Sequence, residues 1–392
     1  MKQIPYGRQS IDKDDVKEVV KVLKSDWLTQ GPMVRRFEEA LTKYCGAKYA
    51  VAVSSGTAAL HLACIAAGLK KGDEAITSPI TFLATPNAVL YTGAKPVFAD
   101  IDYDTVNISP GEIEKNITKK TKAILPVHFA GLPCDMPGIA KIARKHNLII
   151  IEDACHALGA EYKVSGKWTK VGSCKHSDMT IFSFHPVKSI ATGEGGAITT
   201  NNKELYERLI ILRNHGVTKD NARFTNFYSS IFPKETWYYE MQYLGFNYRI
   251  TDMQSALGIS QLKRIDIFLK RRREIASIYN RQISKIDEIE APFEENNVRS
   301  AWHLYVIRIR KNRGLKSDRN KLFSYLRKAG IGVQLHYIPI YLQPYYYKLG
   351  YKKGICPQAE EYYQTALSLP IYPMLANKDI KYITTKISKF FC

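Results

Sequence analysis

Short apolar runs alternate with longer amphipathic stretches through the first half of the chain. Residues 49–53, 74–77, 96–99, 122–127, 148–151, 180–184 and 196–199 are rich in Val, Ile and Ala and bounded by polar or glycine-containing segments, so they read as strands. Helix-like segments such as 58–67 fall between them. This alternation predicts α/β architecture with a largely parallel sheet. Ahead of it, residues 12–24 and 33–44 read as amphipathic helices, separated by a loop that ends in Gly31-Pro32. Residues 218–239, crowded with Tyr, Phe and Asn, read as a long loop or insertion. A single long helix is predicted over 253–283, with Leu262, Ile265, Phe268, Leu269, Ile275, Ile278 and Tyr279 on its apolar face. A second pattern follows: a strand over 303–310, a helix over 316–329 and an extended segment over 332–336. These predict a large domain over residues 1–250 and a small C-terminal α+β domain over 251–392.

Two of the strand-like runs end in residues with chemistry. Residues 147–153 run into Asp153, and the run ending at Phe184 is followed by His185-Pro-Val-Lys188, with the turn Gly193-Glu-Gly-Gly196 beyond it. An ammonium fixed between buried strands must be solvated or used. One use is a Schiff base with an aldehyde cofactor, for which a partly desolvated amine is a competent nucleophile. A carboxylate on one strand and a lysine on the next meet the needs of pyridoxal 5′-phosphate, an anion for the pyridine nitrogen and an amine for the aldehyde.

Other residues gain meaning from that pair. Ser54-Ser-Gly-Thr57-Ala58 follows a strand and opens a helix, where exposed N–H groups and the dipole suit a phosphate, although an ordinary capped helix reads the same way. Ser183 could add a hydroxyl to that seat. Phe82, just past a strand, could stack on a planar ring or sit in the core. His156 could meet either the carboxylate or a phenolic oxygen of the cofactor.

Composition excludes more than it selects. With 392 residues and 45% hydrophobic residues the chain can bury large cores. No apolar leader or membrane-length run is present, which predicts a cytoplasmic protein. Seven scattered cysteines form no CxxC pair and no metal-ligand spacing, so free thiols and no metal are expected. The net charge of +20 and the run Lys270-Arg-Arg-Arg273 invite a nucleic-acid reading. That run lies in the predicted long helix, so its basic residues are expected to form a solvated face, with no nucleic-acid partner.

Taken in order, Ser55-Gly-Thr-Ala-Ala-Leu60, Thr81-Phe-Leu-Ala-Thr85, Glu152-Asp-Ala-Cys-His-Ala-Leu-Gly159, Phe184-His-Pro-Val-Lys188, Gly193-Glu-Gly-Gly196, Arg213-Asn-His-Gly216 and Gly245-Phe-Asn-Tyr-Arg-Ile-Thr-Asp252 resemble the DegT/DnrJ/EryC1/StrS family of sugar aminotransferases. The resemblance covers essentially the full length. It implies a fold-type-I homodimer with pyridoxal 5′-phosphate at shared sites, Lys188 as Schiff-base lysine and proton shuttle, and Asp153 at the pyridinium nitrogen. It further implies Phe82 on the ring, His156 beside the cofactor, Thr57, Ala58 and Ser183 at the phosphate, and Asn247 reaching in from the partner. Substrate contacts are implied for Tyr6, Trp27, Leu28, Thr29, Arg249, Gln334, Leu335, His336 and Tyr337. Ile4-Pro-Tyr-Gly-Arg-Gln9 and Gly330 to Tyr341 are most similar to the branch that makes pseudaminic acid precursors. The implied substrates are therefore L-glutamate and a UDP-linked 4-keto-6-deoxy-N-acetylhexosamine. The alternatives are another nucleotide-linked 4-keto sugar, or a sugar dehydratase of the same fold, against which Lys188 argues.

Overall fold

The computed structural model describes residues 3–225, 236–310 and 319–391. A seven-stranded sheet organises the first part of the chain. Its strands are β1 (Tyr49–Val53), β2 (Glu74–Thr77), β3 (Lys95–Phe98), β4 (Thr121–Leu125), β5 (Ile149–Asp153), β8 (Met179–Ser183) and β9 (Gly196–Thr200), in the order β1-β9-β8-β5-β4-β2-β3. From β3 across to β8 all neighbours are parallel. Only β9 runs against both of its neighbours. The mixed, mainly parallel sheet expected from the alternation is therefore present.

The strands are buried on both faces, and their side chains divide accordingly. On β8, Phe182 enters one core with Phe37 and Leu41, while Met179 and Ile181 enter another with Ala59 and Leu62. Two helices precede the sheet, α1 (Lys13–Leu23) and α2 (Pro32–Cys45). Asp12 and Asp15 form a reciprocal cap at the start of α1, and Pro32 occupies the first turn of α2. The helix α3 (Gly56–Ala66) follows β1 directly, with Ser55 as its cap.

Because β1, β5 and β8 point the same way, their carboxyl ends open onto one edge of the sheet. Gly196 pairs with both Val53 and Ser183 there. A Cβ on Gly196 would lie 2.4 Å from the Ser55 carbonyl oxygen, so only glycine lets β9 pass beneath the turn into α3. In sheets of this kind the carboxyl edge is where ligands bind.

A second core gathers Ile4 with residues of the chain from Ile275 onward, including Tyr305, Ile307, Leu367 and Ile387. Its three-stranded sheet joins Ile289–Glu290, Tyr305–Ile309 and Ala366–Leu369. Among the described residues no helix is long and apolar enough to cross a membrane.

Several expectations are corrected. The long helix is two, Asp252–Leu262 and Ile265–Ile283. Arg264 stands at the break, where its guanidinium reaches Asp12 and the buried Asp15 and lies over Phe268. The basic run is not wholly solvated either. Arg272 is 1% exposed and donates to the carbonyls of Trp302, His303 and Ile371. Residues 332–336 form no strand but only an isolated bridge from Gln334 to Ser368. The helix read over 316–329 spans Arg319–Lys328, and residues 316–318 lie outside the described residues. Of the loop read over 218–239, residues 226–235 also lie outside them. The hairpin of β6 (Glu161–Val164) and β7 (Lys167–Lys170) was not expected. Its strands are short and only partly buried, so they carry little apolar signal.

Candidate active site

The carboxyl edge of the sheet borders a cavity of about 420 Å³. Its wall includes Lys188 and Asp153, which lie thirty-five residues apart in sequence. Asp153 is the last residue of β5, where the strand delivers its carboxylate to the edge. Two donors fix it: Thr85 Oγ1 at 2.6 Å on one oxygen and the Cys155 N–H at 3.1 Å on the other. Thr85 is held in turn by Thr81, 2.8 Å away. The carboxylate therefore faces the cavity in one orientation.

Lys188 follows β8 in a turn closed by its N–H to the His185 carbonyl. Among the described residues its ammonium has no ion-pair or hydrogen-bond partner. Burial draws its pKa below the ordinary lysine value, while Cys155 and Asp153 pull the other way. Part of its population is thus more readily available as free amine.

The start of α3 also borders the cavity. The N–H groups of Gly56 and Thr57 have no acceptor among the described residues, whereas the Ala58 N–H already donates to Ser55 Oγ at 3.1 Å. Thr57 and Ser183 line the cavity beside them, and Ala58 does not. Gly56 packs so closely on the end of β8 that a Cβ there would lie 2.8 Å from Ser183 Cβ. Free amides, two hydroxyls and a helix N-terminus make a seat for a phosphate.

Aromatic rings form a further part of the wall. Phe82 is 57% exposed, so it is a cavity residue and not a core one. His156, His336, Tyr337 and Tyr6 complete this side, together with His303, which no sequence motif singled out. Burial, then the charge of Lys188, pushes His336 down to about 4 and holds His156 well below its ordinary range. Burial first, then His156 and Lys188, does the same to His303. All three imidazoles are neutral near neutral pH. Among the described residues the Nδ1 atoms of His156 and His303 are buried without a hydrogen-bond partner. Burial raises the Tyr337 phenol above its ordinary range, so it too stays uncharged.

Not every expected residue reaches this wall. Asn247 is exposed, and Arg249 donates to Asn214 Oδ1 at 2.7 Å; neither lines the cavity. Trp27 and Leu28 are exposed, Thr29 bridges to Thr251, and Gln334 and Leu335 also lie off the wall. Besides His303, the structure adds Thr85 as the support of Asp153. Thr85 had a signal, its place in the Thr81–Thr85 motif. His303 had none, because a single histidine ahead of a strand matches no spacing.

A free lysine amine, an oriented carboxylate and a phosphate seat at the carboxyl edge of this sheet define a pyridoxal-phosphate-dependent aminotransferase of fold type I. The chain belongs to the DegT/DnrJ/EryC1/StrS aminotransferase family, whose pattern matches residues 9–388. It is similar to the spore coat polysaccharide biosynthesis protein SpsC of Bacillus subtilis, at 43% identity over 96% of this chain and 94% of the relative. It is 40% identical to the UDP-4-amino-4,6-dideoxy-N-acetyl-β-L-altrosamine transaminase of Campylobacter jejuni, covering 99% of this chain and 100% of the relative. Among solved structures it resembles PseC of Helicobacter pylori, an aminotransferase involved in the biosynthesis of pseudoaminic acid. That match has a TM-score of 0.89 and 35% identity over 100% of this chain and 99% of the other. The sugar aminotransferase Spr1654 of Streptococcus pneumoniae, described as putative, was solved in pyridoxal and pyridoxamine phosphate forms; each has TM-score 0.89 and 30% identity, over 98–99% of this chain and 98% of the other. This protein is a sugar aminotransferase, and its cofactor is pyridoxal 5′-phosphate. The orphaned imidazole nitrogens, the free α3 amides and the unpaired lysine fit such a group.

Proposed function

We propose that the enzyme moves the amino group of L-glutamate to C4 of a UDP-linked 4-keto-6-deoxy-N-acetylhexosamine. The product is UDP-4-amino-4,6-dideoxy-N-acetyl-β-L-altrosamine, a precursor for pseudaminic acid. The observation that carries the reading is the meeting of an unpaired Lys188 and an oriented Asp153 in one cavity. The choice of sugar is supported by the names of the Campylobacter and Helicobacter relatives.

Bound in this cavity, the cofactor supplies a carbonyl that takes up an amine and a ring that withdraws electrons. Gly56, Thr57 and Ser183 are assigned to its phosphate, Phe82 to one face of the ring, and His156 to a polar edge. Ala58 helps by shaping the first turn of α3, since its own amide is engaged. Asp153 is assigned to the ring nitrogen, where a carboxylate would favour the protonated form, and Thr85 keeps one of its oxygens in place. Lys188 serves as the amine that anchors the aldehyde and as the base that carries a proton to and from the substrate carbon. Tyr6, His336 and Tyr337 bound the space open to the sugar and the amino acid. Asn247, Arg249, Trp27, Leu28, Thr29, Gln334 and Leu335 are assigned to substrate or to the partner's cavity in a homodimer.

Two experiments test the reading. Borohydride reduction of the holoenzyme followed by peptide mapping is expected to label Lys188; a label on another lysine overturns the assignment. A panel of UDP-4-keto sugars with L-glutamate is expected to give the fastest turnover with the β-L-arabino-configured 4-keto-6-deoxy-N-acetyl sugar. A second reading takes another nucleotide-linked 4-keto sugar as the acceptor, and the Bacillus relative, named for spore coat polysaccharide biosynthesis, is compatible with it. Preference for a substrate without the acetamido group selects that one.

A further inference from the structure

His303 lies 5% exposed beside His156, itself 6% exposed, and both rings line the cavity, with their centroids 4.3 Å apart and their planes 39° from each other. An imidazole is usually oriented by the hydrogen bond at its second nitrogen. Among the described residues the Nδ1 of His156 is unpartnered, and its Nε2 meets only the Tyr337 hydroxyl, at a long 3.4 Å. The ring is therefore held by its faces.

His303 can supply that hold because its own backbone is fixed on two sides. Its N–H donates to the Ala130 carbonyl at 2.9 Å, and its carbonyl accepts from the buried Arg272 at 3.3 Å. Gly131 draws the two histidine-bearing segments together. With φ +95, it has space for no Cβ, which would lie 2.8 Å from the His156 carbonyl oxygen and 3.1 Å from the His303 nitrogen.

We infer that His303 is a positioning residue, whose ring packs against His156 and fixes the face and nitrogen that His156 presents to the cavity. This rests on the reading that the cavity holds the cofactor.

The consequence is electrostatic. Around His156 stand Lys188, His336 and His303, the Tyr337 phenol, the Cys155 thiol and the Asp153 carboxylate, with Arg272 behind His303. Burial is the largest cause of the low His156 pKa, followed by Lys188 and His336. Removing the His303 ring admits water to His156 and lets its pKa climb toward the ordinary 6.5.

The test uses the pyridoxal-phosphate-loaded enzyme and follows both cofactor absorbance and kcat from about pH 5 to 9, across the ordinary histidine range. His303→Ala is expected to lose turnover on the order of tenfold. It should also gain an acidic limb and a matching absorbance change between about pH 5.5 and 7, both absent from the wild type. His303→Phe restores a ring in the same place and is expected to recover the wild-type profile. An unchanged pH profile and spectrum in His303→Ala overturns the inference, as does a His303→Phe enzyme as impaired as the alanine variant. If the alanine variant does not fold, His303→Asn replaces it: Phe should keep the profile and Asn should lose it, and the reverse order overturns the inference. Borohydride labelling separates the two claims. A variant still labelled at Lys188 but lacking the shift counts against His303 alone, whereas labelling elsewhere counts against the cavity reading.

Discussion

At the scale of single residues, the informative contrast is between a group and what holds it. Asp153 and Lys188 were legible as a pair because each follows an apolar run, and a charged residue at the end of a buried strand needs a reason. The donors that orient Asp153 were not legible in the same way, since Thr85 comes from a different strand–helix connection. This hierarchy has a kinetic signature. Asp153→Asn keeps the shape and removes the charge, so it is expected to lower turnover by at least about a hundredfold in both half-reactions. Thr85→Val removes one of the two hydrogen bonds that hold the Asp153 carboxylate, together with the Thr81 contact behind it, and leaves the charge, so its loss should stay near tenfold, the lower end of the about 1.5–3 kcal/mol of a hydrogen bond to a charged group. Single-turnover rates with L-glutamate alone read the first half-reaction for both variants. Equal losses in the two would mean that the charge of Asp153 is immaterial.

At the scale of elements, the strands of the main sheet were legible to within a residue or two, because burial on both faces leaves an uninterrupted apolar run. The two-residue strands were not, and neither was the break between Asp252–Leu262 and Ile265–Ile283. Lys263 and Arg264 are acceptable inside a helix, so the local sequence carries no signal for the break, at which Arg264 reaches the distant carboxylates of Asp12 and Asp15. A buried network on β5 was equally silent. Glu152, one residue before Asp153, is 1% exposed and accepts from His128 Nε2 at 2.7 Å, from Thr180 at 2.9 Å and from Ser177. The Cys134 N–H donates to His128 Nδ1, which leaves Nε2 to face Glu152. Burial opposes the charge of Glu152, but these donors outweigh it and its pKa falls below the ordinary 4.5. A depressed carboxylate pKa stabilises the folded state above the ordinary value, and that contribution fades as pH drops through the folded one. Glu152→Gln is therefore expected to cost about 1–3 kcal/mol near neutral pH. The gap from wild type should close below pH 4.5. Urea unfolding at a series of pH values, at one protein concentration, reads this directly. A gap that widens in acid contradicts the ionised state assigned to Glu152.

At the scale of the whole molecule, the cavity of one chain holds only part of the expected set. Lys188 and Asp153 line it, while Asn247 is exposed off its wall. The surface also shows apolar side chains that a lone chain leaves in water: Ile11, Val16 and Leu23 around α1, Trp27 and Leu28 after it, and Met241 and Leu244 near Asn247. The proposed homodimer predicts that a second copy buries these residues and completes the cavity. If Asn247 serves the partner's cavity, Lys188→Ala and Asn247→Ala homodimers each carry a defect in both sites. A heterodimer of the two concentrates the defects differently. One cavity receives both altered residues, and the other receives the intact Lys188 of one chain and the intact Asn247 of its partner. Random mixing makes half the dimers heterodimers with one good site in two, so about a quarter of the wild-type rate is expected after co-refolding. If Asn247 acts within its own chain, each heterodimer cavity keeps one defect and mixing recovers nothing. Recovery is thus decided by connectivity alone, and the unmixed variants refolded in parallel set the zero.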